Sequence, residues 1–283
     1  MGIFVHILSG RIHMKYETLG DRMKGAYENK YRLYLPERIP VIIRLDGKSF
    51  HTFCRGLKKP FDDIFISVMQ DTMLDLCKNI SGCKLGYVQS DEISLLLVQT
   101  KEESQPWFDN NLQKIVSVSA SMATLYFNKN LQDRCFDLMD KLLEGADDFT
   151  EEDSDYFDVL NSKEHTAMFD SRVFVLPKEE VNNYFIWRQQ DATRNSILSL
   201  AQSLYSDREM HGIKCDALQD KMFTEKNVNW NDLSTVKKRG TCAIRKEVEV
   251  NGVVRNKWFI DKDIPIFTQD KNYINGIIYK GEE

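Results

Sequence analysis

Asp46 closes the run "VIIRLDG" (41–47), and Asp91 and Glu92 stand side by side in "GYVQSDEISLLL" (86–97), between two stretches that read as β-strands. A carboxylate is costly to desolvate unless something positive meets it, so acids at the ends of buried strands point to a cation or a cationic partner. Taken alone, Ser90-Asp91-Glu92 reads first as a solvated hairpin turn, and the rest of the chain has to shift that reading. Two or three carboxylates on one edge of a sheet have the hard oxygen donors that suit a pair of Mg²⁺ ions, and such a pair supports in-line transfer of a phosphoryl or nucleotidyl group. The stretch that follows, "GKSFHTFCRGLKKP", carries Gly47 for a tight turn and Lys48, Arg55, Lys58 and Lys59 as cations for phosphate oxygens.

The elements that must position these groups follow from the pattern. "VIIRLDG" is a continuous β-branched run of the kind found in central strands. "PFDDIFISVMQDTMLDLCKNI" has helical spacing of apolar residues, with Asp62 and Asp63 where acids suit a helix start. Two strands then flank residues 90–92, a helix is expected within 108–129, and "SRVFVLP" (171–177) supplies a further strand that Pro177 stops. The order strand, helix, hairpin, helix, strand is the split βαβ arrangement of a ferredoxin-like sheet. The expected fold class is therefore α+β: an antiparallel sheet with helices on one face, plus helical and β-hairpin additions. In that topology Asp46 and Asp91 converge.

The expected domains are an extension over 1–13, a catalytic unit over 14–178 with an insertion at 144–158, and a helical and hairpin region over 179–283. The insertion, "EGADDFTEEDSDYFD", is acidic without a basic residue and reads as a solvated loop. Past 178, "KEEVNNYFIWRQQDATRNSILSLAQSLYS" reads as a long amphipathic helix in which Trp187 and Arg188 are expected to pack, and 240–261 as a hairpin turning at Asn251-Gly252.

Composition excludes several classes. The 283 residues carry a net charge of −5, which argues against coating nucleic acid by bulk charge and leaves only a local basic patch. Lys237, Lys238, Arg239, Arg245, Lys246, Arg255 and Lys257, against Glu247 and Glu249, are the candidate patch. The six cysteines form no Cys-x-x-Cys pair and the histidines no zinc spacing, as expected of a reduced, cytoplasmic chain. No run reaches the length of a membrane span.

In this order, "RLDGKSFHTF" (44–53), "GYVQSDEISL" (86–95), "FDSRVFVLP" (169–177), "NYFIWRQQDA" (183–192) and "KKRGT" (237–241) closely resemble the tRNA-histidine guanylyltransferase family over residues 15 to about 245. The resemblance implies a polymerase palm that adds nucleotides to the 5′ end of tRNA, growing the strand 3′ to 5′. It implies that Asp46 and Asp91, with the Gly47 carbonyl, hold two Mg²⁺ ions, and that Glu92 is the third catalytic acid. It also implies that Asp46, Gly47, Lys48, Ser49, Phe50 and His51, with Ser90 and Asp91, cradle the triphosphate of ATP, GTP or another nucleoside triphosphate, with Lys59 and Arg172 near phosphates. For His51 a packed or capping role stays open. A homotetramer is implied as well.

One departure bears on the role. Members dedicated to tRNA-histidine carry H-I-N-x-L-Y-N after W-R-Q-x-D, whereas this chain has Thr193, Arg194, Asn195, Ser196, Ile197, Leu198 and Ser199, keeping only Asn195 outright. That loss is similar to the "like" branch of the family, and favours templated repair of tRNA 5′ ends through a 5′-adenylated intermediate. Dedicated guanosine addition to tRNA-histidine is the alternative. Palm-type nucleotide cyclases, which need no RNA, are a second.

Overall fold

The structure is a computed structural model that describes residues 7–8, 11–12, 16–99, 105–143, 150–250 and 253–278. In chain order it comprises β1 (Ile7–Leu8), β2 (Arg11–Ile12), α1 (Leu19–Ala26), β3 (Val41–Gly47), α2 (Phe50–Phe53), α3 (Asp63–Asn79), β4 (Cys83–Gln89), β5 (Glu92–Leu97) and α4 (Leu112–Leu143). There follow α5 (Glu151–Asn161), β6 (Phe169–Val175), α6 (Lys178–Gln202), α7 (Asp207–Met210), α8 (Cys215–Lys226), α9 (Thr235–Arg239), β7 (Thr241–Val250), β8 (Val253–Asp261) and α10 (Asn272–Ile278).

β3 to β8 form one sheet in the order β6-β3-β5-β4-β7-β8, every neighbouring pair antiparallel. The split βαβ core is β3-α3-β4-β5-α4-β6, as the pattern predicts. β7 and β8 continue the same sheet through β4, so the expected boundary at 178/179 falls inside one continuous layer. The expected hairpin turn at Asn251-Gly252 lies outside the described residues; β7 and β8 pair in register from Cys242–Asp261 to Val250–Val253. Residues 1–13 contribute only the two-residue pair β1-β2 to the described structure.

Alternation along β3 sorts its side chains between two cores. Ile43 and Leu45 pack with Met69, Met73 and Phe127 of α3 and α4, and Ile42 packs with Val181, Tyr184 and Phe185 of α6. The two helices of the βαβ unit thus cover one face, and α6, an addition to it, covers the other. Arg44 and Asp46 share the α6 face with Ile42, as do their cross-strand partners Arg172 and Asp170 on β6. A third, smaller core joins the end of α6 to α8 through Ile197, Leu200, Leu218 and Met222.

The acidic segment is corrected by the structure. Residues 144–149 lie outside the described part, but α5 begins at Glu151 behind a Thr150–Asp153 capping box. Tyr156 and Leu160, four residues apart, are buried, and the Tyr156 hydroxyl donates to Asp62 at 2.5 Å. High charge describes the outer face of this helix and conceals the apolar stripe beneath it.

Candidate active site

β3 ends at Gly47, and its amide donates to the Asp91 carbonyl at 3.1 Å. With the β3–β5 ladder, which pairs Asp46 with Glu92, this hydrogen bond sets the end of β3 beside the β4–β5 turn and brings together carboxylates 45 positions apart in sequence (91 minus 46). Burial pushes the Asp91 carboxyl above its ordinary range, and the charge of Asp46 pushes it further. Among the described residues no group of three or more His, Cys, Asp and Glu side chains converges as a metal cluster. The charge of Asp46 is felt at Asp91, so these two carboxylates are neighbours.

Glu92 departs from the expectation that it joins them as a catalytic acid. It stands opposite Asp46 across the β3–β5 ladder, but both its oxygens accept from Arg188 of α6, from Nε at 2.7 Å and Nη2 at 2.8 Å. Arg188 Nη2 also donates to Asp191 at 2.8 Å, and Arg44 Nε lies 4.0 Å from Glu92. The side chains of Arg188 and Glu92 are 7% and 9% exposed, so this is a buried, bidentate pair that ties α6 to the sheet. Burial holds the Glu92 carboxyl above its usual range even though Arg188 pulls it down. Arg188 therefore packs as an ion pair rather than as simple helix filling, and Trp187 is packed on part of its ring only, remaining 50% exposed.

The loop after Asp46 has a definite shape. The Lys48 amide donates to the Met168 carbonyl at 2.8 Å, and Ser49, at φ 58° and ψ 35°, turns the chain into α2. Among the described residues no acceptor meets the amides of Ser49, Phe50 and His51. Lys48, Ser49 and His51 are exposed. Phe50 is not: at 3% exposure it lies among Phe53, Phe65, Phe127 and Phe169, with ring centroids 4.8–6.1 Å away, so only its backbone can face a ligand. A Cβ on Gly47 would stand 2.3 Å from the Phe50 ring, which the aromatic cluster holds fixed. Gly47→Ala is expected to displace this loop and cost on the order of 10²-fold in kcat/KM for nucleotidyl transfer with the fold retained, checked by steady-state kinetics beside circular dichroism.

Two surfaces adjoin the aspartates, one through Ser90 next to Asp91 and one through Asp46 itself. On one side is a cavity of about 270 Å³ bounded by the 57–62 loop, the β4–β5 turn, α6 and α9. Lys58, Lys59, Ser90, Asn195, Lys237 and Arg239 line it together with apolar Leu57, Pro60, Phe61 and Val236. Asp62, 5% exposed, fixes the loop by accepting from the Lys58 amide at 2.9 Å, the Phe65 amide at 2.8 Å and Tyr156. On the other side Arg172 reaches Asp46 and Asp170, each at 3.8 Å.

A model of the family described as tRNAHis guanylyltransferase matches residues 20–177, more than half of the chain and the whole βαβ unit with its two aspartates. The chain belongs to the tRNA-histidine guanylyltransferase family. Members of that family are nucleotidyltransferases on a palm sheet, and this chain is one of them. A bacterial tRNA-histidine guanylyltransferase-like protein solved in complex with ATP is 44% identical, with a TM-score of 0.76 over 93% of this chain and 100% of that one. A bacterial guanylyltransferase-like structure in complex with GTP is 42% identical, with a TM-score of 0.73 over 92% and 99%. A probable tRNA-histidine guanylyltransferase of Dictyostelium discoideum is 25% identical over 76% of this chain and 78% of its own length. The guanylyltransferase of Saccharomyces cerevisiae, at 17% identity and a TM-score of 0.58, shares the fold. Among the described residues no helix of this family member is long and apolar enough to cross a membrane.

The basic segment divides in the structure. Lys237 pairs with Asp63 at 2.8 Å and Lys238 donates to the Asn231 carbonyl at 2.6 Å, so these two do not form a face with the hairpin. On β7 and β8, Lys246 stands directly opposite Lys257, and Arg255 follows two positions along on the same face. All three are exposed, and none has an ion-pair partner among the described residues. Like charges placed directly across a ladder repel, so this face favours an anion.

Proposed function

We propose that this protein restores missing nucleotides at the 5′ end of tRNA by templated 3′ to 5′ addition. The observation that carries the reading is the neighbouring pair Asp46 and Asp91, joined through the β3–β5 ladder and the Gly47–Asp91 hydrogen bond, with Arg172 3.8 Å from Asp46 and a cavity of about 270 Å³ lined by Ser90 next to Asp91. A reaction that uses one nucleotide for activation and another for extension needs two such surfaces on either side of one reacting phosphate. The ATP and GTP complexes of the bacterial relatives support nucleotide occupancy at this fold.

In the first step an oxygen of the RNA 5′-monophosphate attacks the α-phosphorus of ATP. The α–β bond breaks, pyrophosphate leaves, and the RNA carries a 5′-adenylate. Lys59, Ser90 and the amides of Ser49, Phe50 and His51 orient that ATP, and the apolar walls of the cavity shelter its base from water. In the second step the 3′-hydroxyl of the incoming nucleoside triphosphate attacks the RNA 5′-phosphorus, AMP departs, and the hydroxyl proton passes to solvent. Arg172 holds the incoming triphosphate beside Asp46. The two aspartates and the Gly47 carbonyl are hard oxygen donors that fit Mg²⁺, which keeps waters and substrate phosphates in its remaining positions. When bound, two such ions supply acidification of the attacking hydroxyl and neutralisation of charge on the leaving oxygens.

The Lys246, Arg255 and Lys257 face of the hairpin suits the RNA backbone. Changing all three to Gln is expected to lower the slope of log affinity against log salt for tRNA by roughly 2 to 3, read by filter binding across a salt series. An unchanged slope would remove the hairpin from the RNA path.

The specific role is tested with two 5′-monophosphorylated tRNAs, one lacking its first nucleotide and one full-length tRNA-histidine. Preferential extension of the shortened tRNA, only with the nucleotide complementary to the opposite strand, is the expected result. Preferential guanosine addition to tRNA-histidine would overturn the repair role and make Thr193 to Ser199 functional equivalents of the H-I-N-x-L-Y-N residues.

A further inference from the structure

Trp187 is the residue of the W-R-Q stretch that neither the buried ion pair nor the cavity uses. It is 50% exposed on α6, on the same side of the sheet as Asp46. Three neighbours hold its ring: the Arg188 guanidinium lies 4.3 Å from the ring centroid, that of Arg44 lies 5.8 Å away, and the Tyr184 ring packs T-shaped at 5.9 Å. Arg188 is itself locked by Glu92 and Asp191, so the indole stands on a rigid base. Arg44 Nε is buried with no hydrogen-bond acceptor, and Arg44 pairs in register with Arg172, which reaches Asp46. Asp46 lies two positions beyond Arg44 on β3, about 7 Å further along the strand.

A large aromatic residue left half in water normally costs solvation, and burying it against the neighbouring Phe174–Tyr184 pair would be cheaper. A fixed, exposed ring beside cations and carboxylates matches the platforms on which nucleobases stack. We propose that Trp187 is the stacking platform for the base of the incoming nucleoside triphosphate. This deepens the proposed function and rests on it. Stacking uses the π-face that all four bases share, so it holds a base without reading its identity, and discrimination is left to pairing with the RNA template. That division of labour suits an addition whose correct nucleotide changes from one position to the next. A site that read base edges by hydrogen bonds would reject three of the four bases strongly.

Two arms test the platform. In the kinetic arm, Trp187→Ala and Trp187→Phe are compared with wild type on pre-adenylated shortened tRNAs that call for each of the four nucleotides. Trp187→Ala is expected to raise the KM for every incoming nucleotide roughly 5- to 150-fold, with the KM for RNA and the melting temperature held, and Trp187→Phe to recover most of the loss. In the binding arm, ATP, GTP, CTP and UTP are each titrated without RNA, and the fluorescence quench of wild type is compared with that of Trp187→Phe. The component present only in wild type is expected with all four. The inference is overturned by an unchanged KM, by an effect confined to one nucleotide, by a KM increase for RNA instead, or by identical quench curves. Wild-type protein that extends no RNA at all would overturn the proposed function, whereas active wild type with an indifferent Trp187→Ala would overturn only the platform.

Discussion

Replacing Asp46 or Asp91 with Ala is expected to lower both adenylation of the RNA 5′ end and the following nucleotide transfer by at least about 10³-fold, with the circular dichroism spectrum unchanged. Asp46 is partly exposed and Asp91 sits in a turn, so neither carries core packing whose loss would unfold the sheet. The Asp91 side chain makes a second, opposite prediction about stability. Burial and Asp46 hold its carboxyl above the ordinary range, so its contribution to stability is complete below about pH 3.9 and is lost as pH rises through its higher folded value. At neutral pH the metal-free protein therefore carries a desolvated charge facing another charge. Asp91→Asn removes that charge while keeping the shape, and is expected to raise the melting temperature at pH 7 in the presence of a chelator while abolishing activity. A lower melting temperature, or retained transfer, would contradict the role given to this carboxylate.

The second large effect is structural. Arg188→Ala leaves Glu92 buried beside Asp191 with no bidentate partner, and removing one member of a buried pair costs about 3–5 kcal/mol, measured by urea denaturation. Arg188→Lys is expected to recover little, because an ammonium cannot meet both Glu92 oxygens. The double change Arg188→Met with Glu92→Leu is expected to be more stable than Arg188→Ala, since no charge is then stranded. A loss below about 1 kcal/mol for Arg188→Ala, the level of an exposed pair, would show that α6 is held to the sheet by its apolar contacts alone.

Much of this arrangement is legible in the chain. Asp46 is found because a β-branched run stops beside it, and Asp91 because a hairpin turn does. The order of elements between them then fixes which edge of the sheet they share. The partner of Glu92 is not legible, because Arg188 lies 96 positions away and local periodicity says nothing about contacts across that distance. Its only signal is the i, i+3 spacing of Arg188 and Asp191, which marks a charged helix face without naming what that face meets. Phe50 shows the reverse error: its neighbours in the "GKSFHTF" loop suggest a ligand contact, while its side chain turns into the aromatic cluster. In α5 the signals were present, a Thr-x-x-Asp start and an i, i+4 apolar pair, but the acidic composition outweighed them. The joining of β7 to β4 depends on a pairing 153 or more positions apart (241 minus 88), which a hairpin signal does not contain.

The central claim is that the Asp46–Asp91 edge activates an RNA 5′ end before extending it. The most direct measurement is incubation of the protein with Mg²⁺, α-labelled ATP and a 5′-monophosphorylated tRNA lacking its first nucleotide, without other nucleotides, followed by a chase with the unlabelled complementary nucleoside triphosphate. The account predicts label covalently attached to the RNA 5′ end, lost on the chase as AMP while the RNA lengthens by one nucleotide, and neither event with Asp91→Asn. Label appearing instead in a cyclic mononucleotide or dinucleotide, or an RNA that lengthens without ever carrying AMP, would contradict it.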